Sequence, residues 1–461
     1  MQSIMRILVL GAGQVGKTVA SAMLSEQSEI TIVDQDVQLL KSLENRMDIR
    51  TVHGNASHPD VLIRAGAEDA DLILAVTNSD ETNMVACQIA YTLFQTPIRL
   101  ARVRSPSYQQ HPELFGNDAI PVDYIISPEL IVVQSLEHLI HHSEALQILD
   151  FAGGTVKLVA VRAHAGGPLV GHELRKLSQQ VPGVETRIVA VYRRDSAIIA
   201  DGKTIIEEDD EVFFLSESKN IPTVLAAFGR SNRPTRRVII AGGGNIGYRL
   251  ADRIESQYLV KLIEIDYERC RELAKLLYQT IILNGDATDA SLLKDEAIAN
   301  SDIYCAVTND DETNILSAML AKRCGARKTL SIINHPDYLD LTQGDAVDIA
   351  LSPALFTIGA ILTHIRRGDI AVVHSLRRGA AEAMEIVVHG DSRTSGVVGQ
   401  QAKGLRLPEG ATIGGIYRNG KLVFINSGTV IAAGDHVIMF LTDKRQISEV
   451  ERLFQVRYSF V

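Results

Sequence analysis

Over about the first 140 residues, short apolar runs rich in β-branched residues alternate with longer stretches of helical character. Ile7–Leu10, Ile30–Val33, Thr51 and Val52, Leu72–Val76, Arg99–Val103 and Tyr124–Ile126 read as six strands. That alternation predicts a parallel sheet covered by helices on both faces. The next 80 or so residues carry short alternating strands separated by turn signals such as AGGP (Ala165–Pro168) and ADG (Ala200–Gly202). They predict a small β-rich module.

The whole pattern then starts again. Asp71–Asn83 (DLILAVTNSDETN) and Asp302–Asn314 (DIYCAVTNDDETN) agree at nine of thirteen positions, 231 residues apart. At the same offset GAGQVG (Gly11–Gly16) matches GGGNIG (Gly242–Gly247), and HGNAS (His53–Ser57) matches NGDAT (Asn284–Thr288). With smaller shifts, VDYIISP (Val122–Pro128) aligns with VDIALSP (Val347–Pro353), IVAVYRRD (Ile188–Asp195) with IGGIYRNG (Ile413–Gly420), and DEVFFL (Asp210–Leu215) with DHVIMFL (Asp435–Leu441). A tandem duplication follows. The fold class expected is α/β, with two tandem Rossmann-like doubly wound parallel sheets, each followed by a small β-rich α+β domain. The boundaries read as 1–142 and 237–370 for the nucleotide-binding-type domains, 143–228 and 371–461 for the small domains, and 229–236 for the linker. GRSNRPTRR (Gly229–Arg237), polar and basic with a central proline, suits a solvated connection.

Composition narrows the function. Against 46 Lys and Arg stand 56 Asp and Glu, a formal charge of -10, which argues against broad contact with a nucleic-acid backbone. The four cysteines, Cys87, Cys270, Cys305 and Cys324, contain no CxxC spacing and read as buried thiols of a reducing compartment. The longest uncharged apolar window, Ile349–Ile365, has 17 residues and is broken by Ser352, Pro353 and Gly359, short of a membrane span. Arg6 before an apolar run, with Ala20, Ser21 and Ala22 behind it, imitates a signal peptide. The glycine-rich loop inside that run, copied in the second half, opposes this reading, and a cytoplasmic location is expected.

The candidate chemistry lies at the carboxyl ends of the strands. Gly11, Ala12, Gly13, Gln14, Val15 and Gly16 form a dinucleotide fingerprint. The first glycine permits the tight turn, the second lets backbone approach a pyrophosphate, and the third packs helix against strand. Phosphate then sits where free N–H groups and the helix dipole favour negative charge. Asp34, 23 residues after Gly11, closes the second strand where a carboxylate accepts from adenosine ribose hydroxyls. Gly242, Gly244, Asn245, Ile246 and Gly247, with Glu264, repeat the arrangement. The two acids oppose a ribose 2'-phosphate and favour NAD(H), or an adenine nucleotide with a free ribose, over NADP(H).

After the fourth strands, Thr77 and Thr308 are expected to touch ligand; Ser79 or Asp80 can cap the following helix, with Asp80 the expected cap and Glu81 in the first turn. Asn55 with Ala56, and Asp286 with Ala287, either border the adenine or form turns. Arg102 and Arg104 alternate on the fifth strand and so are expected on one side, available to phosphate, whereas the matching segment SIINH (Ser331–His335) has neither. The histidines show no metal-ligand spacing, and no catalytic set is evident.

GAGQVG with Asp34, the TNSDETN and TNDDETN pair, RSPSY (Arg104–Tyr108), HVIMFLTDK (His436–Lys444) and VERLF (Val450–Phe454) together resemble the TrkA family. These are the cytoplasmic regulatory subunits of bacterial Trk potassium uptake systems, built from tandem RCK (KTN) domains. The resemblance covers essentially the whole chain. It implies a homo-oligomeric ring, a tetramer, lying peripherally on the cytoplasmic face of the inner membrane beneath a TrkH or TrkG translocator subunit. It further implies binding of NAD(H) and of ATP or ADP, with no enzymatic activity. Family nucleotide contacts carry over to the first glycine loop, Asp34, the Asn55 region, Thr77 and Arg104, and to the second set of glycines, Glu264 and Asp286. The stretches after Ser127 and Ser352 become crossover helices that mediate subunit pairing, and Leu355, Ile358, Leu362 and Ile365 form one apolar stripe.

Two rivals share the fingerprint. A soluble NAD-dependent oxidoreductase would need a substrate domain with a positioned acid or base, in the place taken here by a β module and a second fingerprint. A redox-sensing DNA repressor would need a basic reading element, for which this acidic chain has no candidate.

Overall fold

The computed structural model describes residues 4–24, 28–194, 196–229, 234–342, 346–366, 370–377 and 380–456. Of the linker, residues 230–233 lie outside the described residues. The first sheet consists of β1 (Arg6–Leu10), β2 (Glu29–Asp34), β3 (Arg50–His53), β4 (Leu72–Ala75), β5 (Ile98–Arg102) and β6 (Tyr124–Ile126). All neighbours pair in parallel, in the order β3-β2-β1-β4-β5-β6. Strand order therefore reverses between β1 and β4, which opens a crevice at their carboxyl ends. The near-continuous apolar strands fit a sheet covered on both faces, and every residue of β4 is buried.

A five-stranded antiparallel sheet follows, made of β7 (Ala145–Phe151), β8 (Val156–Arg162), β9 (Thr186–Arg193), β10 (Ser196–Ile199) and β11 (Glu211–Glu217). The second parallel sheet repeats the first. It comprises β12 (Arg237–Ala241), β13 (Leu259–Glu264), β14 (Ile281–Asn284), β15 (Ile303–Ala306), β16 (Lys328–Ile332) and β17 (Ile349–Leu351), in the order β14-β13-β12-β15-β16-β17. The last sheet holds β18 (Ile370–Leu376), β19 (Ala381–Val387), β20 (Ala411–Arg418), β21 (Lys421–Val423) and β22 (His436–Leu441). The expected fold class is thus the one observed.

The two small sheets share a single core. Phe151, Phe213, Leu215 and Val189 from one pack with Leu376, Ala383, Ile438 and Phe440 from the other. Gly414 and Gly415 make the close approach possible, since a Cβ at Gly414 would lie 3.1 Å from a methyl of Val189. Arg377 stacks on the Tyr192 ring at 4.2 Å and pairs with Glu211.

The chain forms two compact units that cut across the duplication. One contains the first parallel sheet together with Ser352–Ile365, and the other contains Val132–Leu351 and Arg366 onward. The helix Pro353–Ile365, from the second half of the sequence, lies on the helix Gln14–Leu24 of the first. His364 reaches the Tyr124 ring, with 4.2 Å between centroids. In exchange, the end of the helix Pro128–His141 packs in the second unit, where Glu137 pairs with Arg253 at 2.7 Å. Both crossover helices are therefore used inside one chain. Of the apolar stripe, Ile358 and Leu362 are buried and Leu355 is half-buried, while the Ile365 side chain lies outside the described residues. Among the described residues no helix is long and apolar enough to cross a membrane.

Candidate functional site

The first groove opens where β1 runs into the glycine loop. Gly11 has φ +113°, and a Cβ there would stand 2.9 Å from the Val76 carbonyl oxygen, so only glycine lets β1 turn this close to the end of β4. A Cβ at Gly16 would fall 1.9 Å from the Gly11 carbonyl oxygen, and the helix could not begin on the loop. Gly13 differs. A Cβ on it would meet nothing within 4 Å, so it faces open space. Ala12 is fully buried, and Gln14 and Val15 start the helix.

Asp34 closes the groove on the β2 side. One carboxylate oxygen accepts from Ala12 N at 2.6 Å and the other from Asp36 N at 2.8 Å. The acid thus ties the glycine loop to the start of the next helix. Asn55 forms a turn, its side-chain oxygen accepting from Ser57 N at 3.0 Å and from the Ser57 hydroxyl at 2.9 Å. Ala56 is buried behind it. On the β4 side, Thr77 uses both its N–H and its hydroxyl on the Asn83 oxygen, at 2.9 and 2.7 Å. Its hydroxyl is therefore part of the frame.

Two expectations need correction here. The cap of the helix Asp80–Ile89 is Ser79, which accepts from Thr82 N at 3.1 Å, and not Asp80. Asp80 is buried and points across the groove, accepting from Arg104 N at 2.9 Å and Ser105 N at 2.8 Å. Glu81 is held below the usual carboxylate range by its own backbone N–H, then by the hydroxyls of Ser79 and Tyr108. The second correction concerns the arginines. β5 ends at Arg102, so strand alternation does not extend to Arg104. Arg102 pairs with Glu129 at 2.8 Å, whereas Arg104 stays half-exposed at the groove, bonded to the Asn78 carbonyl and 3.6 Å from Asp80.

The second groove is built the same way. Gly242 has φ +107°, a Cβ at Gly247 would lie 1.8 Å from the Gly242 carbonyl oxygen, and a Cβ at Gly244 would meet nothing within 4 Å. Asn245 and Ile246 open the helix. Glu264 accepts from Gly243 N at 2.7 Å and Asp266 N at 2.9 Å. Asp286 forms the turn equivalent to that of Asn55, and the N–H and hydroxyl of Thr288 keep its carboxyl below the usual range. Thr308 bonds Asn314, at 2.8 Å through N–H and 2.7 Å through its hydroxyl. Asp310 caps the helix Asp311–Arg323, and Asp311 accepts from Asn334 N at 2.9 Å and His335 N at 2.8 Å. Asn334 therefore occupies the Arg104 position, and the strand registers agree.

Sequence reasoning missed three groups. Asn83 and Asn314, both fully buried, organise the strand ends, and their only signal was the final asparagine of the repeated TNxDETN segment. Arg269 was also missed. It stands over the second glycine loop, donating to the Gly243 carbonyl at 2.9 Å.

Fold and site define a tandem Rossmann-type protein with two dinucleotide-type grooves and two antiparallel companion modules. The TrkA-N domain matches residues 7–128 and 238–353, and the TrkA-C domain matches 158–229 and 391–455. The Trk system potassium uptake protein TrkA of Halomonas elongata is 52% identical over 456 residues, covering 99% of this chain and 100% of that protein. Among solved structures, the GsuK RCK domain has a TM-score of 0.62 at 18% identity, covering 98% of this chain and 95% of its own. The GsuK channel bound to NAD has a TM-score of 0.61 at 17% identity, covering 98% and 79%. This chain belongs to the TrkA family of Trk system potassium uptake proteins. It is a regulatory component of potassium transport rather than an enzyme.

Proposed function

We propose that the chain binds NAD(H) and adenine nucleotides in its two grooves and uses them to gate a membrane potassium translocator of the TrkH or TrkG type. It acts as a peripheral homo-oligomer, a tetramer, on the cytoplasmic face of the inner membrane. The observation that carries this reading is the donor set of the groove. An open glycine, Gly13 or Gly244, faces the space beside a carboxylate, Asp34 or Glu264, that is anchored to the same loop. Such a set receives a pyrophosphate and an adenosine ribose. A fold relative, the GsuK channel bound to NAD, supports the same ligand class.

Arg104 supplies the first groove with a cation for nucleotide phosphate. Its present partners are the Asn78 carbonyl and Asp80, and Asp80 in turn holds the backbone at the end of β5. A ligand that draws the guanidinium toward its phosphates perturbs those contacts, and the direction of gating follows from which conformation binds that ligand better. Potassium flux through the reconstituted complex, with NAD+, NADH, ADP and ATP added in turn, tests the reading. Flux that ignores every nucleotide would overturn it.

A further inference from the structure

The two grooves differ in where each carries an arginine, and the two arginines lie at opposite ends. At the phosphate end the first groove has Arg104 and the second has Asn334. At the adenosine end the arginine is on the other side. Asp36 N bonds Asp34 as Asp266 N bonds Glu264, and Asp36 accepts from Leu39 N as Asp266 accepts from Arg269 N. Arg269 therefore stands where the first groove has Leu39.

We infer, on the reading of both grooves as nucleotide sites, that the second groove grips its ligand by the adenosine and the first by the phosphates, with Arg269 as the adenine-side specificity residue. The Arg269 guanidinium lies at the loop residue that also bonds Glu264, with Nε 2.9 Å from the Gly243 carbonyl oxygen and Nη1 2.9 Å from Glu272. Those contacts fix the plane of the guanidinium beside the ribose position, and 30% of the side chain is accessible. Ile265, the residue after Glu264, is 71% exposed at the same edge, where the first groove has Gln35. An apolar side chain and a planar cation flanking one ribose suit the face of a purine, because a guanidinium stacks on aromatic rings. Glu272, paired with Arg269, and Glu264 both oppose a phosphate there. The phosphate end of this groove offers the amide of Asn334, itself bonded to Asp311.

The test uses the full chain with one groove closed at a time. Gly13→Val and Gly244→Val each point a side chain into the open groove from a position where a Cβ meets nothing within 4 Å, so each is expected to block one site and keep the fold, which an unchanged melting temperature checks. Calorimetry on the Gly13→Val chain should give AMP, ADP and ATP affinities within about threefold of one another. Arg269→Leu, which installs the residue of the first groove, should weaken all three by a common factor of about tenfold. Arg269→Lys, which keeps charge but not the plane, should stay weak. In the Gly244→Val chain, ATP should exceed AMP by at least about tenfold. The inference is overturned if Arg269→Leu leaves affinity unchanged, if it costs ATP far more than AMP, if NADP+ binds the Gly13→Val chain more tightly than NAD+, or if that chain loses binding that the parent has. A parent chain that binds no nucleotide would overturn the broader reading together with this one.

Discussion

The side-chain amide of Asn83 donates to the carbonyl of Arg102 at 2.9 Å, and through its other atom the same amide holds Thr77. One buried residue thus joins the ends of β4 and β5 to the helix between them. Asn314 does the same in the second half, donating to Ile332 at 3.0 Å. The floor of each groove is a hydrogen-bonded frame made by the protein's own groups.

Removing that frame should be costly. Asn83→Leu matches the side chain in shape but takes the acceptor from the Thr77 N–H and the amide donor from the Arg102 carbonyl, while the Thr77 hydroxyl keeps Ser79, and each buried unsatisfied group costs about 1–3 kcal/mol. A drop of about 3 kcal/mol in the unfolding free energy of the unit that contains the first sheet is expected from urea titration. A loss below about 1 kcal/mol would show that the frame is dispensable.

Arg104→Ala should reduce ATP and ADP affinity by roughly ten- to a hundredfold, the loss expected from one hydrogen bond to a charged group. The side chain is half-exposed, so melting temperature should barely move. Titration calorimetry on the Gly244→Val background isolates the first groove, and unchanged affinity would remove Arg104 from the site.

Asp34→Ala should weaken NAD(H) and ATP together, since both present the same adenosine ribose. The substitution also frees Ala12 N and Asp36 N, so the loop should exchange its amide hydrogens faster. A variant that lost NAD(H) but kept ATP would place the ribose elsewhere.

The reciprocal helix exchange predicts that the halves depend on each other. A fragment of residues 1–228 lacks Pro353–Ile365 and uncovers the face of the helix Gln14–Leu24 on which it lies. Ile358 and Leu362 are buried there, and each such side chain contributes about 1.5–3 kcal/mol. The fragment should melt lower than the same sheet in the full chain, and adding a peptide of residues 350–366 should raise its melting temperature. A fragment as stable as the parent would contradict the exchange.

Burial pushes the thiols of Cys87 and Cys305 up to about 12, while Cys324 is half-buried and departs from the expectation that all four are buried. Each buried thiol titrates near its ordinary 9.0 in the unfolded chain, so between these values the folded state binds more protons. The stability they contribute is complete below the unfolded value and falls as pH rises toward the folded one, by about 1.4 kcal/mol per pH unit for each thiol. Cys305→Ala should flatten that alkaline slope in urea titrations. At neutral pH a thiol reagent should label Cys324 before Cys87 or Cys305.

Much of this was legible in the sequence because it is local. Strand runs, helix patterns, the doubled segment and the glycine loops follow from side-chain periodicity and from backbone angles that glycine alone accepts readily. Asp34 and Glu264 were legible too, since a fixed strand-helix-strand length sets the acid opposite the loop. What the helix Pro353–Ile365 covers was not, because an apolar stripe specifies that it must be buried and not against what. The same holds for Asp80, which looked like a cap until the end of β5 was brought within 2.9 Å, and for Arg104 and Arg269, whose places at opposite ends of two similar grooves depend on which chain ends the sheets bring together. Sequence spacing determined the local units of this protein, whereas partners distant along the chain were chosen by close packing and by the need to satisfy buried polar groups, which only the tertiary structure decides.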